Sequence, residues 1–471
     1  MAHIEREIKL RLSPQAFARL ARLAPERRRV ASVYYDTARQ DLRRAGVALR
    51  LRREGSRWLQ TLKAESIQHA GLAARSEWEL PVKRRALEPD AFPRDEIRGS
   101  TGIDLPRLAR RLRPVFETRF TRRSGLVQVD GRASAELAID RGRIVAGRRR
   151  EAISEVELEL ISGDTEPLLR FAETLALPLA YESKAERGYR LAAGLPPAPR
   201  KWRMPWVDPA AAPGNAFGAV FAAALMQTGT NAARLSGARD PEYLHQLRVG
   251  LRRLRSALQA FAPLLKDEKP LKRGLRRLMP ALGTARDWDV SMQLIESTGL
   301  APQALRAARS KRNAARSAAA ACVKSDEFRA FLFRSLRWLQ AEPWLHVDAS
   351  LSSFAPQRLE KLYRKALRRV DLQRPKRRHE LRIRIKHLRY ACEFFAPCFP
   401  PDAVAPYLKS LRALQDILGA LNDIVTARSL LGELGWSAPP KLARREASLS
   451  AKLRAAWASF EKQPLYWRPP G

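Results

Sequence analysis

Apolar and polar residues alternate in short runs over roughly the first 190 positions, and turn-forming clusters separate the runs. The opening stretch EREIKLRL, residues 5–12, sets Glu5, Glu7 and Lys9 two apart with Ile8 and Leu10 interleaved. A period of two sends alternate side chains to opposite faces, so the stretch predicts a β-strand with its charges on one face. The alternation recurs in VALRLRRE, WLQTLKAE, ARSEWELPV, AELAIDRG and SEVELELISG. GLPPAPRKWRMPWVDPAAAPGN, rich in Pro and Ala, then breaks the pattern and reads as a linker over 196–214. From about Ala216 onward Ala, Leu and Arg recur with helical spacing and strand-like runs disappear. The expected fold class is α+β in two domains, a β-rich one over 1–195 and an all-α one over 215–460.

The charged strand faces are almost undiluted. Arg50 and Arg52 share a face in LRLR, Lys63 sits in TLK, Glu77 and Glu79 in SEWEL, and Glu155, Glu157 and Glu159 in EVELEL. A face that only met water would mix in Ser, Thr and Gln. Two arrangements remain open: the apolar faces form one core under solvated charges, or the sheet closes into a barrel with charge inside and helices outside. The second sets carboxylates, which hold hard divalent ions, against cations, which hold phosphate oxygens. No Ser, His or Cys nucleophile constellation is visible.

Composition narrows the partners. The 471 residues are 45% apolar and carry a net charge of +39, so real cores can form and a polyanionic partner is expected. Residues 1–200 hold 40 Lys/Arg against 27 Asp/Glu, and residues 201–471 hold 48 against 22. Cys322, Cys392 and Cys398 have no metal-type spacing. With no signal peptide and no long apolar run, a soluble cytoplasmic protein without a membrane partner is expected. Few aromatics accompany the basic segments, so nucleic acid is not expected as a specific partner.

Two segments of the helical half align without gaps, HQLRVGLRRLR (245–255) and HELRIRIKHLR (379–389). On a helix His245, Arg248, Arg252 and Arg255 fall within an arc of about 80°, and His379, Arg382, Lys386 and Arg389 repeat them. LGTARDWDV (282–290) and LGALNDIVT (418–426) form a second repeated pair. These repeats predict a pseudo-twofold helical bundle with a polyanion-binding basic face.

EREIKL resembles the ExExK signature of the CYTH family, also called triphosphate tunnel metalloenzymes. The agreement continues in order through YYDT, LRRAGVALRLR, TLK, RSEWELP, PVFETRF, AELAIDRG, EVELEL and SKAERGY. The resemblance implies an eight-stranded antiparallel tunnel with flanking helices that acts on triphosphates with Mg²⁺ or Mn²⁺. By position it implies Glu5, Glu7, Glu157 and Glu159 as metal ligands and, with Lys9, as the catalytic set. Lys9, Arg50, Arg52, Lys63, Arg119 and Lys184 would bind phosphate. Glu77, Glu79, Glu136 and Asp140 fit lesser tunnel-lining or second-metal roles, and Arg187 and Tyr189 would pack or cap the tunnel end. A role for Arg122 is left open, because TRFTRRSG admits more than one alignment. Glu117 falls where some relatives carry a lysine, leaving the cation ring one charge short.

The helical half resembles the CHAD family, the conserved histidine α-helical domain, which implies binding of inorganic polyphosphate. His245, Arg248, Arg252, Arg255, His379, Arg382, Lys386 and Arg389 would make that contact, with Asp287 and Asp423 orienting arginines. Together the resemblances imply a metal-dependent inorganic triphosphatase, yielding pyrophosphate and phosphate, held in the cytoplasm and at polyphosphate granules. The alternatives are another enzyme on the same fold (thiamine-triphosphatase, nucleoside-triphosphatase or adenylate cyclase) and a non-catalytic polyphosphate-binding protein.

Overall fold

Strand alternation becomes an inside and an outside. The computed structural model describes residues 3–69, 72–237, 240–297 and 300–468. Eight strands form: β1 (His3–Arg11), β2 (Glu26–Asp36), β3 (Val47–Glu54), β4 (Arg57–His69), β5 (Leu72–Val82), β6 (Arg113–Val129), β7 (Ala133–Ala146) and β8 (Arg149–Gly163). They close into a barrel in the order β1-β5-β4-β3-β2-β6-β7-β8, with every neighbouring pair antiparallel. Closure leaves no exposed sheet edge.

Six helices accompany the strands: α1 (Pro14–Ala21), α2 (Asp41–Arg44), α3 (Arg94–Thr101), α4 (Leu105–Leu108), α5 (Thr165–Thr174) and α6 (Lys184–Ala192). Leu49, Leu62 and Trp78 on the outer face of β3–β5 are buried in one cluster with Ile97 of α3 and Leu105 and Leu108 of α4. α6 packs against β6, β7 and β8. It starts at a capping box, in which the Ser183 hydroxyl accepts from Glu186 N at 3.1 Å and the Glu186 carboxylate accepts from Ser183 N at 2.7 Å. Gly188 allows its close approach, since a Cβ there would sit 2.1 Å from the Phe116 ring.

The rest of the chain is helical: α7 (Pro213–Leu235), α8 (Glu242–Ala260), α9 (Lys269–Glu296), α10 (Pro302–Lys324), α11 (Asp326–Gln340), α12 (Leu351–Leu367), α13 (Pro375–Phe395), α14 (Pro401–Glu433) and α15 (Pro440–Glu461). Each of α7–α10 packs on the next, the same chain of neighbours recurs in α12–α15, and α8 meets α13 while α9 meets α14. This is the arrangement expected of an internal repeat. Apolar residues at helical spacing build its core, with Leu247, Leu251, Leu254 and Leu258 of α8 and Leu381, Ile385 and Leu388 of α13 all buried.

The chain divides into two compact units, Met1–Pro199 with Leu332–Ala341, and Arg200–Phe331 with Glu342–Gly471. The stretch expected to be a linker is irregular but packed. The Asn231 side chain bonds both backbone groups of Arg200, Trp202 lies under the Arg253 guanidinium at 4.3 Å, and Val207 is buried. Among the described residues, no helix is long and apolar enough to cross a membrane.

Candidate functional site

Inward-facing residues of the strands line a cavity of about 810 Å³. Glu5, Glu7 and Lys9 project from β1, Arg75, Glu77 and Glu79 from β5, Lys63 from β4, and Arg50 and Arg52 from β3. β2 adds Tyr34, β6 adds Arg122, β8 adds Glu157 and Glu159, and α6 adds Lys184. Among the described residues the wall carries nine Glu and nine Lys or Arg, so a densely charged cavity has almost no net charge.

The carboxylates fall into two groups with different partners. In the first, Asp140, Glu155 and Glu157 bring one oxygen each within 4.8 Å of the others. The Lys184 ammonium sits among them, 2.7, 2.5 and 2.9 Å from the three. Arg122 grips Asp140 through two N–H groups at 2.8 and 2.7 Å and also donates to Glu157, which takes Lys9 at 2.6 Å. Burial alone would raise the Glu157 carboxyl, but Lys184, Lys9 and Arg122 outweigh it and hold it well below the usual range. This group is neutralised from within.

The second group is less complete. Lys63 donates to Glu5 at 2.5 Å and lies 3.1 Å from Glu77, while Arg75 donates to Glu7 at 2.9 Å. Glu159 stands opposite Glu7 in the β1–β8 register and makes no hydrogen bond or ion pair among the described residues. Burial, followed by repulsion from Glu5, pushes its carboxyl up to about 7. The Nε–H groups of Arg50 and Arg52 are likewise buried without a hydrogen-bond partner.

The helical half holds a different arrangement. Arg248 and Arg252 of α8, Arg286 of α9, and Arg382 and Lys386 of α13 converge on one cluster, with Asp287 and Asp423 at its edge. Among the described residues none of the five cations forms an ion pair, and the buried Nε–H groups of Arg248, Arg252 and Arg382 lack partners. Burial, then Arg382 and Arg252, push the Lys386 ammonium down to about 6. Burial and Arg252 similarly take Arg248 down to about 10.

Residues 3–189 match the CYTH domain family, and residues 219–432 match the CHAD domain family. The chain joins a CYTH domain to a CHAD domain. A similar curated protein is the inorganic triphosphatase of Haemophilus influenzae, 32% identical over 203 residues that make up 40% of this chain and 54% of that relative. The match therefore spans about half of the relative's length. Among solved structures, the chain resembles the CHAD domain of the plant Ricinus communis, with 29% identity over 57% of this chain and 94% of that one, TM-score 0.47. It also resembles a Hippeastrum protein described as having a dominant triphosphatase activity, with 21% identity over 41% and 96%, TM-score 0.29.

The CYTH barrel gathers Glu5, Glu7, Lys9, Arg50, Arg52, Lys63, Glu157, Glu159 and Lys184 around its cavity, together with Glu77, Glu79 and Glu136, while Asp140 is buried beside Lys184. Arg119 stands outside it. Its position on β6 points outward, where the exposed guanidinium pairs with Glu117 at 2.6 Å, and Arg122 supplies the cavity cation. Glu117 thus leaves no gap in the cavity ring. Glu157, expected as a metal ligand, is here paired with Lys9, Arg122 and Lys184 and lies in the acidic group with Asp140 and Glu155. Arg187 pairs with Glu151 and Glu155, and the Tyr189 hydroxyl donates to Asp36 at 2.9 Å, both packing roles.

In the CHAD half, Arg255 is exposed, and Arg389 is engaged by Glu393 and by Gln415 at 2.7 Å. His379 is exposed beside Asn422, and His245 is half-buried near Arg286. Asp287 and Asp423 form no ion pair among the described residues, so they do not clamp arginines directly. Sequence reasoning missed Arg75 and Arg286. The alternation in ARSEWEL puts Arg75 on the face of Glu77 and Glu79 and could have found it. Arg286, adjacent to Asp287, carried no comparable signal.

Proposed function

We propose that the CYTH barrel is a metal-dependent inorganic triphosphatase, releasing pyrophosphate and phosphate, and that the CHAD half binds inorganic polyphosphate. One observation carries the first part: a charge-balanced cavity contains both buried anion-donor groups without a hydrogen-bond partner, the Nε–H groups of Arg50 and Arg52, and a carboxylate, Glu159, that makes no hydrogen bond or ion pair among the described residues. Most of its own cations are already paired with its own carboxylates. A triphosphate entering such a space needs further positive charge, and a divalent ion supplies it.

The donor set fits Mg²⁺ or Mn²⁺, because Glu5, Glu7 and Glu159 offer hard carboxylate oxygens on adjacent strands. When bound, such an ion neutralises phosphate oxygens and lowers the pKa of a coordinated water. Arg50, Arg52 and Lys63 hold and orient the phosphate chain. Arg122, Lys9 and Lys184 hold Glu157 and Asp140 ionised and fixed, so this part of the wall does not rearrange when charge develops. Water then attacks the terminal phosphorus, and the bridging oxygen leaves with pyrophosphate. Glutamates and cations suffice for this chemistry, and no covalent intermediate is needed.

The relative's name supports the inorganic substrate. Phosphate release from triphosphate, pyrophosphate, ATP and thiamine triphosphate, with Mg²⁺, with Mn²⁺ and with EDTA, tests the reading. We expect inorganic triphosphate to be preferred and EDTA to abolish turnover. Preference for ATP or thiamine triphosphate, or full activity in EDTA, would overturn it.

A further inference from the structure

The two copies of the repeat meet in one place, where Arg286 of the first corresponds to Asn422 of the second and one arginine is exchanged for a lysine. Arg248 in the first copy corresponds to Arg382 in the second, and Arg252 corresponds to Lys386. One lysine therefore stands in a ring otherwise made of arginines, which stay charged at any physiological pH.

The surroundings of Lys386 are overwhelmingly positive. Arg382 faces it from its own helix, Arg248 and Arg252 from α8, and Asp423 from α14, with Arg286 and Asp287 of α9 completing the cluster. His245 on α8 lies beside Arg286 and Arg252. Beside Lys386 on α13, His387 hydrogen-bonds Ser256 and senses Arg255, Lys365 and that lysine itself. Asp423 forms no ion pair with any of these cations among the described residues. A half-buried ammonium among like charges is the member of the ring that gives up its proton most readily. An anion laid across Arg248, Arg252 and Arg382, whose buried Nε–H groups lack partners, reverses that balance.

We propose that binding of a polyphosphate chain at this cluster is coupled to uptake of a proton by Lys386, so that the CHAD half holds its polyanion more tightly as the pH falls. This rests on the reading of the CHAD half as a polyphosphate binder. The ammonium pushed down to about 6 in the free protein supports it. Below that pH Lys386 is already charged and affinity is flat. Above it the bound state carries one proton more than the free state, so affinity falls by up to about tenfold per pH unit until the bound ammonium itself titrates.

The test is calorimetric titration of the full chain with long-chain polyphosphate in EDTA, at pH 7.5, in buffers of different ionisation enthalpy. The wild type is expected to take up about one proton more per binding event than Lys386→Arg, which keeps the charge but does not titrate. Between pH 7 and pH 8.5 the affinity of Lys386→Arg should fall much less than that of the wild type. Comparison with Lys386→Arg removes the share of His245 and of the barrel. Lys386→Met, uncharged at every pH, should bind more weakly and also lose the extra proton, a second check that does not depend on how arginine packs. Equal proton uptake in wild type and both variants overturns the coupling while leaving polyphosphate binding intact. Absence of binding at every pH overturns the coupling and the polyphosphate reading together.

Discussion

The two charged regions of this protein are built on opposite principles. In the CYTH barrel nearly every cation has a carboxylate within reach, and Lys184 alone lies within 2.9 Å of three. In the CHAD cluster five cations meet without one ion pair among the described residues. The difference bears on how each takes an anion. A balanced cavity gains little from a bare polyanion and needs extra cations to admit one, which suits a site that must also release its products. An unbalanced cluster is relieved of its own repulsion by the anion, which suits retention.

The largest expected effect breaks the unbalanced side. Replacing Arg248, Arg252, Arg382 and Lys386 with Ala should weaken polyphosphate binding by more than about 100-fold and flatten its salt dependence. The melting temperature should hold or rise, since like charges leave a half-buried site. Four exposed cations, Arg368, Arg374, Lys376 and Arg377, provide the control and should cost less than about tenfold by the same titration. Equal losses would mean diffuse attraction by the whole basic surface, and the contrast between the regions would lose its CHAD half. Arg378 cannot serve in this control, because it is buried against Glu446 at 2.9 Å.

How far the sequence reaches is clearest where a pattern meets an exception. The alternation in β1, β3, β5 and β8 carries the barrel because the outward positions are apolar and find helices to cover them. In β6 that rule fails locally. Phe116 and Phe120 point inward, where Tyr34 stacks on Phe116 at 4.4 Å and Tyr189 of α6 meets its edge at 5.3 Å. An inner wall made partly apolar by a packed helix hides the parity of the strand, so TRFTRRSG pointed to Arg119 where Arg122 faces the cavity. In the CHAD repeats the shared helix face was legible, but its reach was overestimated. Four positions spread over about 15 Å of helix cannot all meet a neighbouring helix at one crossing. Arg255 ends in solvent, and Arg389 is taken by Glu393 one turn along its own helix. That the copies converge on one cluster depends on α8 meeting α13, which no local pattern encodes.

A smaller effect sharpens the contrast inside the barrel itself. Glu157→Gln removes a carboxylate from three cations and should destabilise the barrel by about 3 kcal/mol. Glu159→Gln removes a carboxylate with no partner, and should abolish triphosphate hydrolysis while leaving the barrel at least as stable at pH 8. The pH dependence follows from the directions of the shifts. Glu159, pushed up to about 7 in the folded chain, lowers stability progressively from about pH 4.5 to 7 and by a constant amount above. The difference between Glu159→Gln and wild type should therefore vanish near pH 4.5. Glu157, held well below its ordinary value, contributes stability that is present above about pH 4.5 and lost only as pH falls further. Thermal melts of both variants at pH 5 and pH 8 measure this, and equal destabilisation at pH 8 would show that the two carboxylate groups are not distinct.

The smallest expected effect is at Arg119. Its guanidinium is exposed and paired only locally, two residues away across the outer face of β6, at 2.6 Å from Glu117. Exposed pairs of this kind contribute about 0–1 kcal/mol, so Arg119→Ala should leave both stability and triphosphate turnover within about twofold. Arg122→Ala, on the inner face, strips two hydrogen bonds from fully buried Asp140 and one from Glu157, and should slow turnover by roughly 10²-fold through the loss of a fixed cavity wall. Steady-state phosphate release from both variants decides between the two alignments of TRFTRRSG. A large loss in Arg119→Ala with little change in Arg122→Ala would mean that β6 turns its odd-numbered face to the substrate. The balance of charge inside the barrel would then have to be recounted with Glu117 and Arg119 in it.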